Sequence, residues 1–135
     1  MEIEKKSFEI IKGELGEEFV SRYPADALPV LCRVIHTTAD FSYRDTLTIT
    51  DGAIEKAKEE IRRGLPIITD TTMAASGINK TAAGKFGIEV HCFIGDEDVK
   101  AKAKESGMTR SAVSVEKAAG CYPECIYAVG NAPTA

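Results

Sequence analysis

The alternation of apolar and polar positions divides the chain into helical and strand-like stretches, with no internal repeat and no low-complexity linker. Residues 3–15 carry Phe8, Ile11 and Leu15 at helical spacing, which predicts a first helix. A second helix is expected to start near Asp26, a capping residue type, with Pro29 in its first turn, where a missing N–H costs little. Leu28, Leu31, Cys32 and Ile35 fall at i, i+3, i+4 and i+7 and form its buried stripe. His36 lies one turn beyond Cys32, at the end of that stripe. The segment FSYRDTLTI, 41–49, alternates in a way that suits either a strand or an extended loop.

From residue 51 the pattern becomes more regular. DGAIEKAKEEIRRG reads as a helix capped by Asp51, with Ile54, Ala57 and Ile61 on its apolar face and Gly64 as its stop. LPIITD is a short apolar strand, and TTMAASGI is a helical turn. GIEVHCFI is a second buried strand, and DEDVKAKAKESG is a polar helix ended by Gly107. TRSAVSVEKAAG is a helix capped by Thr109 and stopped by Gly120, and CIYAVG is a third strand. Apolar strands at 67–69, 90–94 and 126–129, separated by helices, predict an α/β fold in which a parallel sheet core is flanked by helices. Asn131 followed by Pro133 is a helix-start signal.

Composition narrows the class. The chain has 135 residues, the size of one ordinary domain, with 44% hydrophobic and 28% charged side chains. The net charge of −4 and the lack of a basic face argue against nucleic acid as a partner. No apolar run approaches the ~20 residues needed to cross a bilayer, so no membrane partner is expected. The charged start MEIEKKSFEI does not read as a secretory leader, and a cytoplasmic protein is expected. Four cysteines at irregular spacing, Cys32, Cys92, Cys121 and Cys125, read as reduced thiols. Beyond the Cys121–Cys125 pair only His36 and His91 could complete a zinc set, so no metal site is expected.

Ligands of parallel sheets bind beyond the carboxyl ends of the strands. Those ends here run into Asp70, Thr71 and Thr72, and into Gly130 and Asn131. Several helix starts at one rim favour carboxylate or phosphate ligands. Thr109-Arg110-Ser111 adds a guanidinium that suits a carboxylate. By spacing alone, the commoner outcome is that Thr109 caps its helix and Arg110 pairs with a surface acid. His36 is followed by Thr37, Thr38 and Asp40, which are able to orient a ring nitrogen, although a lone histidine on an apolar helix is more often a core residue. His91, inside a strand, reads as structural. Neither a Walker pattern, GxGxxG nor a serine elbow occurs.

Five blocks carry a family resemblance. RVIHTTADFSY, 33–43, is similar to the signature around the catalytic histidine of precorrin-8X methylmutases. LPIITDTTMAASGI, 65–78, resembles that family's strand and following turn, and MTRSAVSVEKA, 108–118, its TRSA helix. VGNAPTA, 129–135, resembles a further hallmark, and SFEII, 7–11, the segment bearing a substrate-contacting serine. The blocks fall in the family's order along essentially the whole chain.

The resemblance implies an isomerase of cobalamin biosynthesis. Such an enzyme moves a methyl group between neighbouring ring carbons of precorrin-8X to give hydrogenobyrinate, or of the cobalt form to give cobyrinate. It implies no cofactor and no external methyl donor. It makes His36 the catalytic proton donor, and Ser7, Arg33, Thr72 and Arg110 contacts to a carboxylate-bearing tetrapyrrole. It also implies a homodimer with active sites near the subunit interface. Family members continue beyond GNAPTA, so the expectation is one methylmutase-like domain over 1–135 that lacks the family's C-terminal elements. The accompanying expectation is weak turnover, or a corrinoid-binding homologue without turnover.

Overall fold

The computed structural model describes residues 2–130 and 134–135, and the helix start expected at Asn131 lies outside the described residues. The chain forms two compact units, residues 1–55 and 56–135.

The first unit is helical. α1 (Glu2–Leu15) buries Ile11 and Leu15, as its periodicity requires, and α2 (Glu17–Arg22) follows after Gly16. α3 (Leu28–Thr38) buries Leu31, Cys32 and Ile35. Leu31 and Cys32 are 0% exposed and Ile35 1%, so this stripe is the centre of the unit's core. Phe8, Phe19, Tyr23, Tyr43 and Leu47 pack around it. Burial at this depth stabilises by about 1.5–3 kcal/mol per large aliphatic side chain.

Two expectations are corrected in this unit. Asp26 does not cap α3; the N-cap is Ala27, which makes no side-chain cap bond, because residues 25–27 form a turn first. Pro29 does sit in the first turn. The segment 41–49 is neither a strand nor wholly extended. It contains the short helix α4 (Tyr43–Thr46), which Tyr43 and Leu47 hold against the core.

α5 (Ala53–Arg62) leads into the second unit, and its Ile54 and Ile61 are half-buried while Ala57 is exposed. Gly64 ends it at φ +74°, and a Cβ there would lie 2.8 Å from the carbonyl oxygen of Phe86. Conformation and close approach therefore both demand glycine. The rest of the unit runs β1 (Ile67–Thr69), α6 (Thr72–Gly77), α7 (Lys80–Lys85), β2 (Val90–His91), α8 (Glu97–Ser106), α9 (Arg110–Cys121) and β3 (Ile126–Ala128).

The three strands form one parallel sheet in the order β2-β1-β3. Ile67 pairs with Val90 and with Ile126, which sets the register on both sides. β1, the central strand, buries Ile68 and Thr69. β2 is shorter than the apolar run 90–94 suggested, because the chain turns at 94–95 ahead of α8. α8 and α9 pack through Val99, Ala103 and Val113, with Phe93 against them. α9 runs one residue past Gly120.

Candidate functional site

The helical spacing of α1 and α3 brings four side chains of α1 and α3 around the proposed catalytic histidine. Arg33 and His36 are three residues apart on α3 and so share a face. Glu4, Ser7 and Phe8 share a face of α1 for the same reason. Across the two helices, Ser7 Oγ lies 2.8 Å from His36 Nδ1. The Phe8 ring meets the imidazole edge-on, with centroids 5.9 Å apart and planes at 69°. The Arg33 guanidinium sits over the Phe8 ring at 5.2 Å and forms an ion pair with Glu4.

His36 is solvent-exposed, and among the described residues its Nε2 has no hydrogen-bond partner. The contact runs in either direction: Ser7 donates its hydroxyl proton to a bare Nδ1, or a protonated Nδ1 donates to Ser7 Oγ, and in the second case the imidazolium carries a proton on Nε2 as well. The protonated ring, with its Nε2 proton unshared, is the form a proton donor needs.

The orienting group is Ser7 rather than the neighbours suggested by sequence order. Thr37 and Thr38 donate their hydroxyl protons to the carbonyls of Arg33 and Val34, at 2.9 and 2.8 Å, one turn back. Asp40 accepts the backbone N–H of Ser42 at 2.8 Å, and hydrogen bonds from Ser42 hold its carboxyl below the usual aspartate value. These groups shape the end of α3, where Ala39 adopts φ 55° and its N–H closes on Ile35. Glu4 and Phe8 as partners of this cluster went unnoticed in the sequence. The i, i+4 spacing of Glu4 and Phe8 beside Ser7 was the available signal.

Thr72 and Arg110 belong to the second unit, at the carboxyl ends of the strands. Thr71 caps α6 by accepting the N–H of Ala74 at 3.2 Å, leaving Thr72 exposed in the first turn. Asp70 is 2% exposed and accepts the Gly130 N–H at 2.7 Å, which ties the ends of β1 and β3 together. A Cβ on Gly130 would approach Ala74, Thr71 and Asp70 to 3.2–3.3 Å, so this junction is tight. Thr109 caps α9 through the N–H of Ala112 and its Oγ1 lies 2.7 Å from that of Thr134. Arg110 is exposed and, among the described residues, has no ion-pair partner. The surface-acid pairing that spacing alone favoured is absent there, so its guanidinium remains available to a ligand.

His91 is a brace. It stacks on Tyr122 at 4.7 Å, lies parallel to Phe93 at 6.0 Å, and its Nε2 meets Glu89 at 3.1 Å. All four cysteines are free. Burial pushes the Cys32 thiol above its ordinary pKa. Among the described residues no cluster of three or more His, Cys, Asp or Glu side chains could hold a metal ion. No described helix is long and apolar enough to cross a membrane. A cavity of about 380 Å³ lies under the 47–52 loop, lined by Tyr23, Asp26, Leu47 and Asp51 among others, and it does not include Ser7 or His36.

The precorrin-8X methylmutase family model matches residues 2–135. The chain belongs to the precorrin-8X methylmutase family. It is 38% identical to the cobalt-precorrin-8 methylmutase of Leptospira interrogans over 98% of its own length and 60% of that protein. It is 41% identical to the enzyme of the same name from Salmonella typhimurium, over 98% of this chain and 65% of that one. A solved precorrin-8x methylmutase from Thermus thermophilus superposes with a TM-score of 0.83 at 36% identity, over 98% of this chain and 63% of that chain. The chain thus spans about 60% of the length of the relatives it matches.

Proposed function

We propose that the chain acts in cobalamin biosynthesis as an isomerase that moves a methyl group on precorrin-8X, or on its cobalt form, to give hydrogenobyrinate or cobyrinate. The observation that carries this reading is the 2.8 Å contact between Ser7 Oγ and His36 Nδ1. It directs the free Nε2 of an exposed imidazole outward as a proton donor. Protonating the macrocycle draws electron density towards the new C–H or N–H bond and lets the methyl group shift to the adjacent carbon. After the shift the macrocycle returns a proton to the imidazole, so substrate and product are isomers and the step needs no oxidant and no methyl donor. Positioned proton transfer of this kind supplies about 10²–10⁴-fold.

Arg110 and the start of α9 suit the carboxylates at the edge of the substrate, because a guanidinium beside helix N–H groups favours an anion. Ser7, Thr72 and Arg110 are the proposed substrate contacts. The names of the relatives favour the cobalt-bearing substrate. Those at 38% and 41% identity are called cobalt-precorrin-8 methylmutases, while the Pseudomonas aeruginosa and Sinorhizobium proteins called precorrin-8X methylmutases stand at 32% and 29%. Free thiols support a reducing, cytoplasmic setting. Exposed Tyr127 on the edge strand β3 and exposed Val129 just after it support a homodimer or a higher homo-oligomer.

The test incubates the purified chain, alone and fused to the remaining length of the Salmonella relative, with cobalt-precorrin-8 or precorrin-8X. Absorbance reports the change in the chromophore. Turnover that His36→Ala abolishes while binding persists is the expected result. Turnover unchanged in His36→Ala removes the mechanism. Binding without turnover in both forms makes the chain a corrinoid-binding homologue instead.

A further inference from the structure

We propose that Arg33 is a strut for the catalytic imidazole, and that Glu4, Phe8 and Arg33 act together as positioning residues for His36. The inference deepens the isomerase reading and rests on it for its catalytic meaning. It departs from the substrate-contact role that the family resemblance implies for Arg33.

Four contacts, taken in order, make the case. Glu4 Oε1 is shut off from water and is paired with Arg33 Nη2. That pair holds the guanidinium 5.2 Å above the Phe8 ring, in cation–π range. The opposite anchor of Phe8 is the core, because it packs against the cluster of Ile11, Leu15, Leu31, Cys32 and Ile35. Phe8 then meets the His36 ring at 69°, an edge-on arrangement that aromatic pairs favour.

The imidazole is therefore fixed in two ways. Ser7 holds Nδ1 and so sets rotation about the ring axis. Phe8 limits the swing of the ring as a whole. An exposed histidine on a helix surface otherwise samples several rotamers on the nanosecond scale. A proton donor must hold its geometry, since misplacement by about 1 Å can cost on the order of 100-fold in rate. The pair with Glu4 and the Phe8 ring draw the Arg33 guanidinium towards α1, although its side chain stays 58% exposed. Glu4 acts through Arg33 and Phe8 and makes no hydrogen bond or ion pair to the imidazole.

The chain contains only His36 and His91, which makes a direct test simple. Ring-labelled histidine is followed by nitrogen and proton NMR at alkaline pH, where imidazoles are neutral. His91→Gln assigns the two sets of signals. Ser7→Ala is the positive control and should move the His36 nitrogen shifts. Glu4→Gln and Arg33→Met should each shift the His36 ring protons, through the changed Phe8 ring current, and leave His91 unmoved. The double variant should shift them no further than the larger single change. Unchanged His91 signals also report that the fold is intact, and Glu4→Gln alters a side chain that is already partly exposed. No movement of His36 in either variant overturns the proposal.

These readouts need no substrate, so they stand even if the isomerase reading fails. Where turnover is measurable, both variants should lower kcat and leave KM unchanged. A raised KM with unmoved His36 signals returns Arg33 to the role of substrate contact.

Discussion

Asp70 Oδ1 accepts the backbone N–H of Gly130 at 2.7 Å, joining the carboxyl ends of β1 and β3 across 60 residues of sequence. Asp70 is 2% exposed, so the bond forms away from water. Asp70→Ala should lower stability by about 1.5–3 kcal/mol. Asp70→Asn keeps an acceptor and should lose less. Urea melts followed by circular dichroism read both. An Asp70→Ala variant as stable as the parent would show that the junction is held elsewhere.

Arg110 separates stability from binding. It is exposed and unpaired among the described residues, so Arg110→Ala should leave the melting temperature unchanged. The same variant should weaken corrinoid binding by about 1.5–3 kcal/mol, the worth of a charged hydrogen bond, with kcat little affected. Titration of the corrinoid chromophore, with a thermal melt on the same sample, distinguishes the two effects. A loss of stability without a loss of affinity would give Arg110 a structural role.

Lys117 predicts a pH dependence for the packing of α9 on α8. Its ammonium donates to Asp96 at 2.6 Å and to Asp98 at 2.8 Å, and lies 5.3 Å from the Phe93 ring. Bonds to Asp96 and then Asp98 raise the Lys117 pKa, and the bond to Lys117 lowers that of Asp98. A depressed carboxyl contributes stability above its unfolded value of 3.8, and that contribution disappears as pH falls through the lower folded value. A raised ammonium contributes below its unfolded value of 10.5 and stops contributing as pH rises through the higher folded value. Lys117→Met keeps the contact with Phe93 and removes the charge. The melting-temperature gap between parent and Lys117→Met should be small and constant between those limits, and should close in acid. A gap that persists below the range in which Asp98 titrates would assign the effect to packing.

The sequence and the structure agree where a single periodicity governs. Ile11, Leu15, Leu31, Cys32 and Ile35 were legible because burial follows helical spacing within one element. The parallel sheet was legible because its strands are short apolar runs bounded by capped helices. α4 was not, because the alternation of 41–49 reflects the attachment of Tyr43 and Leu47 to the core rather than a strand. α7 was missed because KTAAGK lacks an apolar stripe, and only the cap by Asn79, which accepts the Ala82 N–H at 2.9 Å, announces it. The end of α3 carries no glycine signal, since Ala39 takes the left-handed conformation itself. At the candidate site, His36 stood out by its place on an apolar helix ahead of Thr37, Thr38 and Asp40, whereas its catalytic role and Ser7 entered through family resemblance. The links from Glu4 to Arg33 and from Phe8 to His36 depend on how two helices face each other, which no single stretch of sequence encodes.

The strand order also bears on how the sheet assembles. The central strand comes first in the chain, and its two neighbours arrive at different times. Thr69 reaches the carbonyl of His91 across 22 residues, whereas Asp70 reaches Gly130 across 60. Closing the longer loop costs about 0.9 kcal/mol more in chain entropy, by the logarithmic dependence on loop length. On that cost the β1–β2 side is expected to pair first and β3 to be added last. Interactions made last are largely missing from the folding transition state. Weakening the Asp70–Gly130 bond should then leave the folding rate almost unchanged and speed unfolding, so this junction sets how long the folded sheet persists rather than how quickly it forms.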